Sequence, residues 1–123
     1  MPSPEPVLSS WPELRALALS LDLPGVIETT AWDHPVLKAH GKMWTWWSPK
    51  IDAAVFKADR DEVEMLHAAD PATFLLHPHY AGHGLLLVAQ GRIDPGWARA
   101  RLISTWRSMA PKRLLKAWEA GQG

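Results

Sequence analysis

Residues 28–48 read ETTAWDHPVLKAHGKMWTWWS, and the fold turns on how this stretch is taken. Four of the chain's eight tryptophans fall inside it: Trp32, Trp44, Trp46 and Trp47. Pro35–Ala39 can form one strand and Lys42–Ser48 the next, with His40-Gly41 as a tight turn between them. Glycine supplies the positive φ that such turns need. Strict alternation along the second strand puts Met43, Thr45 and Trp47 on one face and Lys42, Trp44 and Trp46 on the other. Both faces are then largely apolar, so the strand needs cover on part of each side. A large aromatic buries roughly 150–250 Å², and this hairpin is expected to anchor the core.

Working outward, residues 26–32 carry Val26, Ile27, Thr29 and Thr30, which favour a strand. An extended approach to the hairpin would read the same, and both readings stay open. Upstream, Ser10-Trp11-Pro12-Glu13 fits a capping box. Leu14, Leu17, Ala18 and Leu21 follow at helical spacing until Pro24-Gly25. Residues 1–9, rich in proline, are expected to form a flexible tail ahead of one domain over 10–120. Downstream, 52–58 returns as a strand, with Ala53, Val55 and Lys57 on one face and Ala54 and Phe56 on the other. Asp59 caps a second helix striped by Val63, Leu66 and Ala69, and Asp70-Pro71 ends it. Residues 73–76 are a short strand candidate, 77–84 a turn-rich loop and 85–89 an apolar strand. Asp94-Pro95 starts a third helix to about Met109, with Ala98, Leu102, Trp106 and Met109 buried. Pro111 breaks it, a last helix spans 112–120, and residues 121–123 fray. Closely connected strands with helices set apart imply an α+β fold, an antiparallel sheet backed by helices.

At 123 residues the chain can bury about two-thirds of its unfolded surface without staples. It has no cysteine, which excludes disulfides and thiolate chemistry and fits a reducing compartment. No apolar run approaches the ~18 residues of a membrane span, and MPSPEPVLSS lacks the features of a signal peptide. A cytoplasmic protein with no membrane partner is expected. Net charge is zero, yet residues 91–123 hold seven Lys or Arg against two acids. Such asymmetry marks either an anion-facing end or a solvated helical face.

Three segments carry a resemblance: LPGVIETTAWDHPVLKAHGKMWTWW at 23–47, HPHYAGHGLLLV at 77–88 and APKRLLKAW at 110–118. In order and spacing the chain resembles the MmcQ/YjbR-like family of small bacterial proteins, over roughly Pro12 to Trp118. The resemblance implies a frataxin-like (CyaY-like) α+β sandwich. It also brings a DNA-binding label that rests on likening the hairpins to wings, an argument from fold alone. It supplies no catalytic residue. Iron binding in frataxin-like folds relies on an acidic first helix. Here that helix carries Glu13 and little else before Asp22, a departure that argues against an iron role.

His77, His79 and His83 could converge on a metal if their loop curled. Their spacing matches no zinc pattern, and a structural loop is the expectation, with no metal and no cofactor. Asp33 and His34 are adjacent in an extended segment and point apart, so they do not make an acid–base pair. Phosphate-loop, dinucleotide and nucleophile-elbow motifs are absent. An enzyme is not expected.

Two functions remain. One is DNA binding by a basic groove between hairpin and helix, using Lys38, Lys42, Arg101, Arg107, Lys112, Arg113 and Lys116, with Trp44 and Trp46 stacking on bases or sugars. At ~100° per residue Arg101 and Arg107 fall about 40° apart on one side of their helix. The other is a protein- or small-ligand-interaction module anchored on exposed tryptophans. The positions of the tryptophans decide between them.

Overall fold

A computed structural model describes residues 6–80 and 82–122. Helix α1 (Trp11–Ser20) leads into four strands, β1 (Val26–Ala31), β2 (His34–Ala39), β3 (Lys42–Trp47) and β4 (Ala53–Lys57). Helix α2 (Arg60–Ala69), strands β5 (Phe74–Leu75) and β6 (Leu85–Ala89), and helices α3 (Pro95–Met109) and α4 (Lys112–Gln122) follow. The α+β expectation holds. One six-stranded antiparallel sheet runs in the order β1-β2-β3-β4-β6-β5. The ambiguous stretch at 26–32 is therefore a strand.

The local signals act largely as expected. His40 and Gly41 both have positive φ, 55° and 80°, the two-residue turn that suits the twist of paired strands. Asp94 caps α3 by accepting from Trp97 N at 2.8 Å. At the start of α1 the expected capping box is replaced by side-chain bonds: Ser9 and Ser10 both donate to the Glu13 carboxylate at 3.0 Å, and the Ser10 side chain caps no backbone N–H.

Two boundaries move. Leu8 N donates to Ile93 O at 2.9 Å and its side chain is buried in the core, so the tail expected over 1–9 stops short of Leu8. Residues 1–5 lie outside the described residues. Helix α4 runs through Gly121 to Gln122, where fraying was expected.

The helices share one face of the sheet. There Leu37, Trp44, Ala54, Phe56, Leu86 and Val88 meet Leu14, Leu17, Val63, Leu102 and Trp106. Leu14, Leu17, Phe56, Leu86, Val88, Leu102 and Trp106 are buried as the sequence leads one to expect, whereas Leu21, Trp47, Leu66 and Met109 are half-buried against this cluster. The opposite face carries a second, smaller cluster of Val36, Trp46, Ala53, Val55, Tyr80 and Leu87.

The facing of β3 departs from strict alternation. Val36 pairs with Trp46 and Leu37 with Thr45, but Lys38 pairs with Met43. Trp44 is the extra residue of a β-bulge. It lies on the helix side with Trp47, while Met43 and Trp46 share the other face. The expected grouping of Trp44 with Trp46 is corrected by that one residue.

Candidate functional site

Strand β1 pairs with β2 from Val26↔Ala39 to Ala31↔His34, which leaves two residues, Trp32 and Asp33, to turn the chain. Both adopt the left-handed conformation, with φ of 53° and 62°. Asp tolerates this region, since its short side chain bonds locally, but Trp has no such compensation. A non-glycine residue held there costs of order 1–3 kcal/mol. The turn sets Trp32 at the tip of the hairpin, 65% exposed. Its ring centroid lies 6.2 Å from that of Trp46, at 53°.

Opposite this turn, the 77–84 loop folds back over the helix-free face. Tyr80 is its anchor, 4% exposed and packed in the smaller cluster. Its hydroxyl is 2.6 Å from Ser48 Oγ. Ser48 Oγ also accepts from Lys50 N at 3.1 Å and Ile51 N at 3.2 Å, which fixes the turn after β3. Within the loop, Tyr80 N donates to His77 O at 2.9 Å, and His79 N donates to His77 Nδ1 at 3.1 Å. The His79 ring meets Tyr80 edge-on at 4.8 Å.

Turn and loop enclose a pocket of about 590 Å³, lined by Trp32, Trp46, Pro49, Lys50, His79, Tyr80, His83 and Leu85. Its walls are mainly aromatic, and Lys50, His79 and His83 give it a basic edge with no carboxylate in the lining. The His79 pKa lies below the usual histidine range. Partial loss of hydration is the main cause, and Lys50, His77 and His83 oppose a further positive charge. The buried Trp46 Nε1 has no hydrogen-bond partner among the described residues. An orphaned buried donor costs about 1–3 kcal/mol. Among the described residues no group of three or more His, Asp or Glu is placed to share a metal ion.

A family model described as YjbR matches residues 21–108, well over half of the chain. The chain belongs to the YjbR family. Neither a curated protein nor a solved structure matches it, so the frataxin-like comparison has no structural match behind it.

In this YjbR-family chain the residues singled out for nucleic acid are dispersed. Trp44 is fully buried, its Nε1 donating to Leu102 O at 3.2 Å and Thr105 Oγ1 at 3.1 Å. Trp46 is buried as well, so the stacking pair expected on the hairpin is not presented to solvent. Lys38 pairs with Met43 and Lys42 with Ala39 across the bulge, which puts the two lysines on opposite faces. Lys42 does share a groove with Arg101, but Asp59 and Glu62 line it too. Arg101 is forked onto Glu62, with one bond of 2.7 Å, and lies 5.4 Å over the Trp97 ring. Arg107 donates to Glu119 at 2.6 Å and covers Trp118. The two arginines expected to form one free side are thus held by α2 and α4 respectively. Lys112, Arg113 and Lys116 are exposed on α4.

Sequence reasoning missed the pocket. A Trp-Asp pair carries no glycine to mark a positive-φ turn, so Trp32 was not readable as a hairpin tip. Tyr80 had a signal: it is the one large ring in a loop of histidine, glycine and proline, and a lone aromatic in such a loop needs something to cover.

Proposed function

We propose that this YjbR-family chain is a non-enzymatic binding module whose ligand is a small molecule seated in the pocket between Trp32 and the Tyr80 loop. The observation that carries this reading is Trp32 itself: a strained, exposed indole at the mouth of a pocket that already holds Trp46 and Tyr80. Strain kept at a ring this exposed, whose contact is with Trp46 at the pocket, points to use. The volume falls within the roughly 300–1,000 Å³ typical of ligand sites, and aromatic walls with a few polar groups are the usual lining.

DNA binding is the second reading. What favours it is the set of exposed cations Lys42, Lys112, Arg113 and Lys116. A zero net charge gives it little of the phosphate neutralisation that dominates nonspecific affinity.

One spectroscopic experiment separates them. With ¹⁵N labelling, each tryptophan gives an indole signal. Titration with 2-naphthoate and its neutral amide, 2-naphthamide, should shift the Trp32 and Trp46 indoles first. Titration with a 20-base-pair duplex at ~50 mM and ~200 mM salt should leave the α4 amides unmoved. Salt-sensitive shifts at Lys112, Arg113 and Lys116, with still indoles at Trp32 and Trp46, would reverse the ranking.

A further inference from the structure

We infer that the pocket takes a small planar aromatic acid, its ring against Trp32 and Tyr80 and its anionic group at the Lys50, His79 and His83 edge. This rests on the reading of the pocket as a ligand site and adds the chemical class of the ligand.

The ring is argued from the walls. Trp32, Trp46 and Tyr80 supply three aromatic side chains around one space, and Pro49 and Leu85 complete its apolar lining. Offset or edge contacts with a planar ligand use such walls better than an aliphatic one does.

The anion is argued from the charges on every element around the space. The turn after β3 contributes Lys50 to the lining. Asp52, on that turn, accepts from Trp47 Nε1 at 2.7 Å and does not line the pocket. The loop contributes His79 and His83, with His77 close behind at 6.5 Å from the His79 ring. Asp33 and His34 follow Trp32 on the hairpin, and neither lines the pocket. Strand β6 offers only Leu85. No carboxylate is therefore present in the lining to compete for the basic edge.

Proton linkage follows. An anion beside His79 favours its charged form. The free ring's pKa lies below the ordinary value, so the gain grows as pH falls toward the acid side. His79 therefore adds to the basic edge only on the acid side.

The test uses the full chain, with 2-naphthoate and 2-naphthamide as probes. The carboxylate of the first stays ionised between pH 8 and pH 5.5, and the second carries no charge. Naphthoate should bind about three- to tenfold more tightly at pH 5.5 than at pH 8, while naphthamide should bind more weakly and without pH dependence. Lys50→Gln should cost naphthoate about three- to tenfold and leave naphthamide unchanged. Trp32→Gly should lose about tenfold or more for both probes yet melt no lower than the parent, because glycine removes the backbone strain. If the two probes bind equally at both pH values, the acid assignment is overturned while the pocket stands. If Trp32→Gly keeps its affinity and melts lower, Trp32 is a packing residue and the ring placement is overturned. If neither probe moves the Trp32 and Trp46 indoles, the pocket reading falls and this inference with it.

Discussion

The two faces of the sheet are made by the same strands and are finished in opposite ways. Three helices close the first, and its buried indoles are fully engaged: Trp44 bonds Leu102 and Thr105, and Trp106 donates to Pro24 O at 2.8 Å. A single loop pinned by Tyr80 covers the second, and there Trp46 is left with a donor unspent. The first face has its indoles bonded, although His40 Nε2, buried beside the Trp106 ring, has no partner among the described residues. The other keeps an aromatic space, a strained turn and an unmet hydrogen bond. The contrast suggests that stability is concentrated where the helices pack, and that binding belongs where cover is thinnest.

Neighbouring leucines of β6 offer the sharpest way to break that contrast. Leu86 and Leu87 are both essentially fully buried, but Leu86 faces the helices and Leu87 the loop. Leu86→Ala should cost about 4–5 kcal/mol in urea melts, because packed helices cannot collapse onto the cavity. Leu87→Ala should cost about 2–3 kcal/mol, because a loop can settle inward. Equal losses would mean the loop is as rigid as the helical layer. Phe56→Ala, on the helix side, is expected to cost about 3–5 kcal/mol.

Tyr80→Phe tests how the loop is held. It removes the bond to Ser48 Oγ, which keeps its two backbone donors, so the loss should be about 1 kcal/mol. Hydrogen exchange should rise in residues 77–84 and stay unchanged in α1 and α3. Faster exchange throughout would show that the loop supports the whole sheet.

The smallest effect is expected at the rim of the helix face. The fork from Arg101 holds the Glu62 carboxyl below its usual pKa, against a partial cost of burial. A depressed folded-state value contributes stability that is present above the unfolded value, about 4.3, and lost as pH falls through the folded one. Glu62→Gln should therefore destabilise by about 0.5–1 kcal/mol at pH 7, and the difference from the parent should vanish toward pH 3. A difference constant with pH would point to packing instead of charge.

Much of the architecture was legible because its signals are local. His40-Gly41, Asp94-Pro95 and Pro111 each act within a few residues and mark a boundary seen in the fold, while Asp59 stands at the start of α2 without the side-chain cap bond expected of it. The site was less legible because its parts meet only through the sheet. Nothing in the spacing of Trp32, Lys50 and Tyr80 shows that they share a pocket. The bulge at Trp44 was also out of reach, since alternation alone cannot reveal an unpaired residue. That single offset buried Trp44 under α3 and sent Trp46 to the opposite side, separating the two rings that a nucleic-acid reading needed together.

The same offset bears on what the gene can lose. Removing a residue from a regular strand turns over every side chain beyond it. In β3 one residue is surplus to the ladder, so loss of the Trp44 codon would join Met43 to Thr45 and leave Lys38↔Met43, Leu37↔Thr45 and Val36↔Trp46 as consecutive pairs. Met43 and Trp46 would keep their face, and the damage would be confined to the missing indole. Strand β2 has no such slack, and a one-codon loss there would exchange the two faces on one side of the break.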